Sequence, residues 1–259
     1  MASAAKIVKE IVKKINQEHA YVPDEPIHFK MGENKKSKPL VKEAVEDNEH
    51  RDWEKHNDNS HLGDTSGEIS QKLATYRKPY RNEIEKEHVA RYTDDSEPIN
   101  RDLLDRHFKK TKILDHHKNQ IKALDRRTSS PIGHHVSLYS GLGFNPGQHI
   151  TGKNLIRMPA YTSLTHSKPT ATFFSELKHT GEQNDEGKPV HHILHVHMRP
   201  EDHADHIGDA QYNASEHETI LPRDTVLKIH GTPTTHTGRN GAIYKIWHAH
   251  VHKQPKATV

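Results

Sequence analysis

Tyr212-Asn213-Ala214-Ser215-Glu216-His217-Glu218-Thr219-Ile220-Leu221-Pro222-Arg223-Asp224-Thr225-Val226-Leu227-Lys228-Ile229 is the stretch around which the 259-residue chain is organised. It opens polar, passes two acids one residue apart, Glu216 and Glu218, and becomes an apolar run broken by a turn at Pro222-Arg223-Asp224. Side chains alternate along extended backbone, so this spacing predicts two carboxylates on one side of the mouth of a strand. Such a pair can divide labour, one acid stabilising a developing cation and the other orienting or deprotonating a nucleophile. Glu-Xaa-Glu is also common on solvated strand faces, so its neighbours must decide.

Two apolar blocks precede it. Val136-Ser137-Leu138-Tyr139-Ser140-Gly141-Leu142-Gly143-Phe144 is a short strand ending in glycines, and Met158-Pro159-Ala160-Tyr161-Thr162-Ser163-Leu164-Thr165 reads as a strand ending in hydroxyls. In this order the three blocks resemble the mono-ADP-ribosyltransferase exoenzyme family of the Arg-Ser-Glu class, including phage enzymes that modify host proteins. The family's blocks read Tyr-Arg-Gly-Leu, Ser-Thr-Ser and Glu-Xaa-Glu. The resemblance extends to Val89-Ala90-Arg91-Tyr92-Thr93 and Ile99-Asn100-Arg101 with Leu103, and to Ala171 with Phe173-Phe174 after the second block. It covers about Asn82 to the C-terminus.

The resemblance implies an α/β (α+β) fold, with a helical lobe and two packed, mostly antiparallel sheets around a cleft for NAD, the substrate. It implies Glu218 as the catalytic acid, Glu216 as the group that orients an acceptor arginine, and Ser163 as the brace of Glu218. Tyr139, Ser140, Gly141, Leu142 and Thr165 would line the NAD site, and Tyr212 would pack on the target protein. Ser140 stands where the family has an arginine that contacts the NAD phosphates. Three explanations stay open: another cation such as Arg157 or His135, the backbone amides around Gly141-Leu142-Gly143, or weakened NAD binding. The activity implied is arginine mono-ADP-ribosylation of a protein with release of nicotinamide. The implied acceptor is a host protein such as RNA polymerase, met in the host cytoplasm after phage infection or on delivery with the virion. NAD hydrolysis, and a degenerate transferase fold kept as a virion or interaction protein, are the alternatives.

Composition sets the limits. Only 31% of residues are hydrophobic and the mean hydropathy is -0.99, so a core can fill only part of the length. There is no cysteine, hence no disulfide framework or thiolate chemistry. No apolar run nears the roughly 18 residues of a membrane span, which predicts a soluble protein. Lys and Arg number 38 against 35 Asp and Glu, a balance that gives no reason to expect a nucleic-acid site.

Residues 1–81 read as a polar, partly disordered arm and 82–259 as the catalytic domain. Within the arm, Ile7, Val8, Ile11, Val12 and Ile15 among lysines predict a basic amphipathic helix over residues 1–19, and a further helix covers 68–76. Helices follow over 83–92, from Ile99, and around Ile113 to Leu124. Residues 176–188 and 201–215 read as loops. Val190–Met198 and Ile243–His252 read as strands on which His195 and His197, and His248, His250 and His252, share faces. Such imidazoles can bind a metal if the strands are neighbours; solvated or hydrogen-bonded histidines are the plainer reading, and no metal is assigned.

Overall fold

Caps and prolines set the helices. Thr65 and Glu68 form a reciprocal capping box that starts α1, Ser66–Ala74. Asn82 accepts from the Glu85 amide to start α2, Glu83–Asp94. Pro98 lies in the first turn of α3, Glu97–Lys109, where its missing N–H has no helical partner to lose. α4 spans Asp115–Arg127. Ser167 caps α5, Lys168–Leu177, again with a first-turn proline. The computed structural model describes residues 59–178, 180–207, 216–238 and 241–255. The amphipathic helix of residues 1–19, the arm up to residue 58 and Tyr212 lie outside the described residues. Among the described residues, no helix is long and apolar enough to cross a membrane.

The strands are β1 Val136–Leu142, β2 Leu155–Met158, β3 Thr162–Thr165, β4 Val190–Met198, β5 Asp205–His206, β6 Glu218–Leu221, β7 Thr225–Ile229, β8 Thr234–Thr237 and β9 Ile243–Lys253. They pair in the order β2-β7-β9-β4-β1-β3-β6-β5, with β8 on β9. Every pairing is antiparallel except β4 with β9. The ladder is continuous, yet it must fold over. Laid flat, five strand spacings of about 4.8 Å would separate β6 from β7 by about 24 Å, whereas the link through Pro222, Arg223 and Asp224 reaches only about 14 Å from Leu221 to Thr225. The two halves therefore face each other as layers. Between them lies the largest apolar cluster, which joins Leu138, Leu164 and Leu221 from one half to Ile156, Leu227 and Trp247 from the other.

The opposite face of the sheet carries the helices. Val89 and Tyr92 of α2, Ile99 and Leu103 of α3, and Ile121 and Leu124 of α4 pack with Tyr161 and Ile220. Ala171 of α5 packs with Ile193 and Ile246.

Three features depart from the sequence reading. Met158 to Thr165 is two strands, not one: Met158 precedes Pro159, which has no N–H to continue a ladder, so β2 turns to β7 and β3 to β6. The 201–215 segment contains a short strand, β5. The polar arm expected through residue 81 does not stay outside the core, because Leu62, Ile69 and Leu73 are buried against Ile132, Val136 and Leu138. The Asn59 side chain, moreover, exchanges two 2.7 Å hydrogen bonds with the backbone of Ser137 on β1.

Candidate active site

β3 and β6 bring the second and third blocks together. Thr165 stands opposite Glu218 and Ser163 opposite Ile220. Residues directly opposed share a face, as do those two apart, so Ser163, Thr165 and Glu218 project to the helical side. There the Ser163 hydroxyl hydrogen-bonds the Glu218 carboxylate. Tyr92 of α2 reaches the same hydroxyl, with 3.4 Å between oxygens, and accepts from the Asn100 amide of α3 at 3.3 Å. Tyr92 is held edge-on against Tyr161. Burial, and then the charge of Glu218, push its phenol well above the usual range, so it stays protonated. The Tyr-Thr and Ile-Asn segments thus brace the acid through Ser163.

Glu218 is buried, and its Oε2 has no hydrogen-bond partner among the described residues. Burial pushes its carboxyl up to about 7; the charges of Glu216 and Asp205 push the same way, against the Ser163 hydrogen bond and the Lys178 ammonium. An acceptor oxygen without a donor is costly in a protein interior, and here it is available to a hydroxyl brought by a ligand. The two acids do not pair as an extended strand, because β6 begins at Glu218 and His217 adopts φ 49°. That left-handed residue breaks the i, i+2 alternation; Glu216 nevertheless acts on Glu218 through its charge.

The first block lies beside them. β1 pairs with β4 over seven residues but with β3 at a single position, Tyr139 opposite Thr165. Ser140, Gly141 and Leu142 therefore continue without a β3 partner in the ladder. Ser140 and Leu142 are buried on β1, α5 covers Gly141, and Tyr139 stacks on His195. Arg157 is not brought here: it lies on β2, near the other end of the ladder, and its guanidinium binds Asp224 at 2.7 and 3.1 Å. His135 stacks on His197.

Several groups at the site carry no sequence signal. Arg127 of α4 and Asp205 of β5, both fully buried, form a two-bond ion pair at 2.7 and 2.8 Å, with the guanidinium 4.1 Å from the Tyr80 ring centre. Burial raises Asp205 to about 6 despite that partner. His166 sits 4.6 Å from His217 and 6.5 Å from His206, ring to ring; burial lowers His166 to about 4 and His206 to about 3. β4 and β9 are neighbours, with His195 opposite His248 and His197 opposite His250. Among the described residues no group of three such side chains is arranged to hold a metal. His192 instead bonds Glu182 and Trp247, and His195 bonds His248.

The arrangement presents a braced, buried carboxyl with a second acid acting on it, where β1 and β3 stop pairing on a sheet backed by helices. The family model for ADP-ribosyltransferase exoenzyme matches residues 62–250. Solved structures share the fold. Plx2a, an ADP-ribosyltransferase toxin from Paenibacillus larvae, is 17% identical, with TM-score 0.53 over 73% of this chain and 95% of that one. The Clostridium limosum C3 exoenzyme is 13% identical, TM-score 0.51, over 73% and 93%. The ADP-ribosyltransferase Vis in complex with agmatine is 14% identical, TM-score 0.51, over 74% and 85%. No curated protein matches the chain in sequence.

Proposed function

Because the chain belongs to the ADP-ribosyltransferase exoenzyme family, whose substrate is NAD, we propose that it transfers ADP-ribose from NAD to an arginine of a target protein and releases nicotinamide. The observation that carries this reading is the Glu218 carboxyl, buried, braced by Ser163 and keeping one oxygen without a partner among the described residues.

In the ionised state Glu218 accepts a hydrogen bond from the hydroxyl of the nicotinamide ribose. It stabilises the oxocarbenium character at C1′ as the bond to nicotinamide breaks and its electron pair leaves with the ring. A guanidino nitrogen of the acceptor then forms the new bond to C1′, and its proton passes to Glu216 or to solvent. Glutamate at position 216 suits a guanidinium, which a carboxylate can grip with two parallel hydrogen bonds. The agmatine held by Vis is itself a guanidine, which supports the same acceptor chemistry. The resemblance to phage enzymes makes a host protein the first acceptor to test.

The test is incubation of the purified chain with labelled NAD and a host-cell lysate, beside Glu218→Ala. The expected result is labelled protein bands that vanish with the variant and release label under conditions that cleave arginine linkages. Free ADP-ribose without labelled bands would replace transfer by hydrolysis. Equal turnover in Glu218→Ala and the parent would overturn the mechanism.

A further inference from the structure

One residue joins Glu216 to Glu218, and its backbone decides where the first acid points. β6 begins at Glu218, so Glu216 precedes the strand, and His217 between them adopts φ 49°. The left-handed region disfavours a residue with a Cβ. A turn of this kind persists where its surroundings hold it, and two contacts hold this one.

The first comes from α1. Nδ1 of His217 lies 3.0 Å from the Ser70 hydroxyl, within hydrogen-bond reach. α1 is a firm anchor: a capping box starts it, and Ile69 and Leu73, which flank Ser70, are buried in the largest apolar cluster. The second contact comes from the end of β3. Thr165 stands opposite Glu218, and an antiparallel ladder brings the residue after the one, His166, beside the residue before the other, His217. Their rings lie 4.6 Å apart, tilted by 33°. His166 is buried, and neither of its nitrogens has a hydrogen-bond partner among the described residues. Burial lowers it to about 4, so at neutral pH it offers a ring face and no charge.

The geometry points to Ser70 and His217 as positioning residues for the acceptor step, an inference that rests on the transfer reading above. Ser70 holds the imidazole, the imidazole holds the left-handed turn, and the turn aims Glu216 at the incoming guanidine. A two-bond grip on a guanidinium needs a carboxylate held to within about 0.5 Å. Glu218 is steadied separately, by the Ser163 hydroxyl on β3. A helix from the polar region before Asn82 thus sets how well the site receives its nucleophile, without touching NAD.

Transfer from NAD to agmatine, the guanidine held by Vis, tests this on the full chain, beside nicotinamide release without acceptor and calorimetric titration with NAD. Ser70→Ala and His217→Ala are expected to lower kcat/KM for agmatine by about ten- to a hundred-fold, while nicotinamide release without acceptor and NAD affinity stay at the parent's level. His217→Gly separates anchor from backbone: glycine adopts the left-handed turn freely but gives Ser70 nothing to hold, so it should lose transfer as the alanine does. His217→Asn tolerates the turn and keeps an acceptor for the Ser70 hydroxyl, so it should recover most of the transfer. Parental kcat/KM for agmatine in Ser70→Ala or His217→Gly overturns the assignment and leaves the transfer reading standing. An equal fall in NAD affinity and in transfer also overturns it, because the contacts then support the whole site and not Glu216. A parent that leaves agmatine unmodified overturns it too, and labelling of lysate proteins then decides the transfer reading separately.

Discussion

In the proposed reaction Glu218 acts in its ionised form, and burial pushes its carboxyl up to about 7. The limb of kcat/KM for NAD consumption is therefore expected to rise with pH through about 7, the value to which Glu218 is pushed. Glu216→Gln removes a charge that raises Glu218, so it should move that limb to lower pH while transfer to arginine is lost; a pH series on both forms checks this. The same burial carries a cost in stability. A carboxyl raised from 4.5 to about 7 keeps its proton in the folded chain over a range where the unfolded chain has lost it. Stability therefore falls as pH rises across that window, and below it the penalty is absent. Glu218→Gln should gain about 3 kcal/mol relative to the parent on going from pH 4 to pH 8, read from denaturation at both values; an equal difference at the two would refute it. At this scale the sequence was informative where chemistry is local. Glu218 and Ser163, the proposed acid and its brace, were picked from their blocks, and β3 and β6 bring them side by side. Asp205 and Arg127 were not, because one buried acid and one arginine 78 positions away have no shared spacing to announce them.

Elements place those residues. β1 must accept α5 at Gly141, where backbone fills the position of a side chain. Gly141→Ala is expected to destabilise the fold by about 3 kcal/mol, as thermal denaturation would show. Helices were readable from caps and prolines, and β4 and β9 from their length. β8 was missed because all four of its residues are exposed, so no apolar alternation marks it. The short pairing of β1 with β3 was invisible too: which strands pair, and for how long, depends on tertiary packing rather than on either strand's own residues.

The whole molecule joins segments that composition separates. All described residues fall in one unit, Glu46–Val259, and the polar region before Asn82 supplies Leu62, Ile69 and Leu73 to its core. Removing residues 1–81 should therefore broaden and lower the unfolding transition, since each buried leucine or isoleucine contributes about 1.5–3 kcal/mol. Removing only residues 1–58 leaves those contacts in place; equal melting of the two truncated chains would contradict this account. The position of β9 has a consequence for synthesis. It lies between β7 and β4 in the ladder and also carries β8, although it follows all of them in the chain. A ribosome thus releases the two halves of the sheet as separate surfaces with open edges, and they can be joined only once residue 253 has emerged. Until then the nascent chain is a client for chaperones rather than an enzyme, and a message cut short before that strand yields a product prone to aggregate.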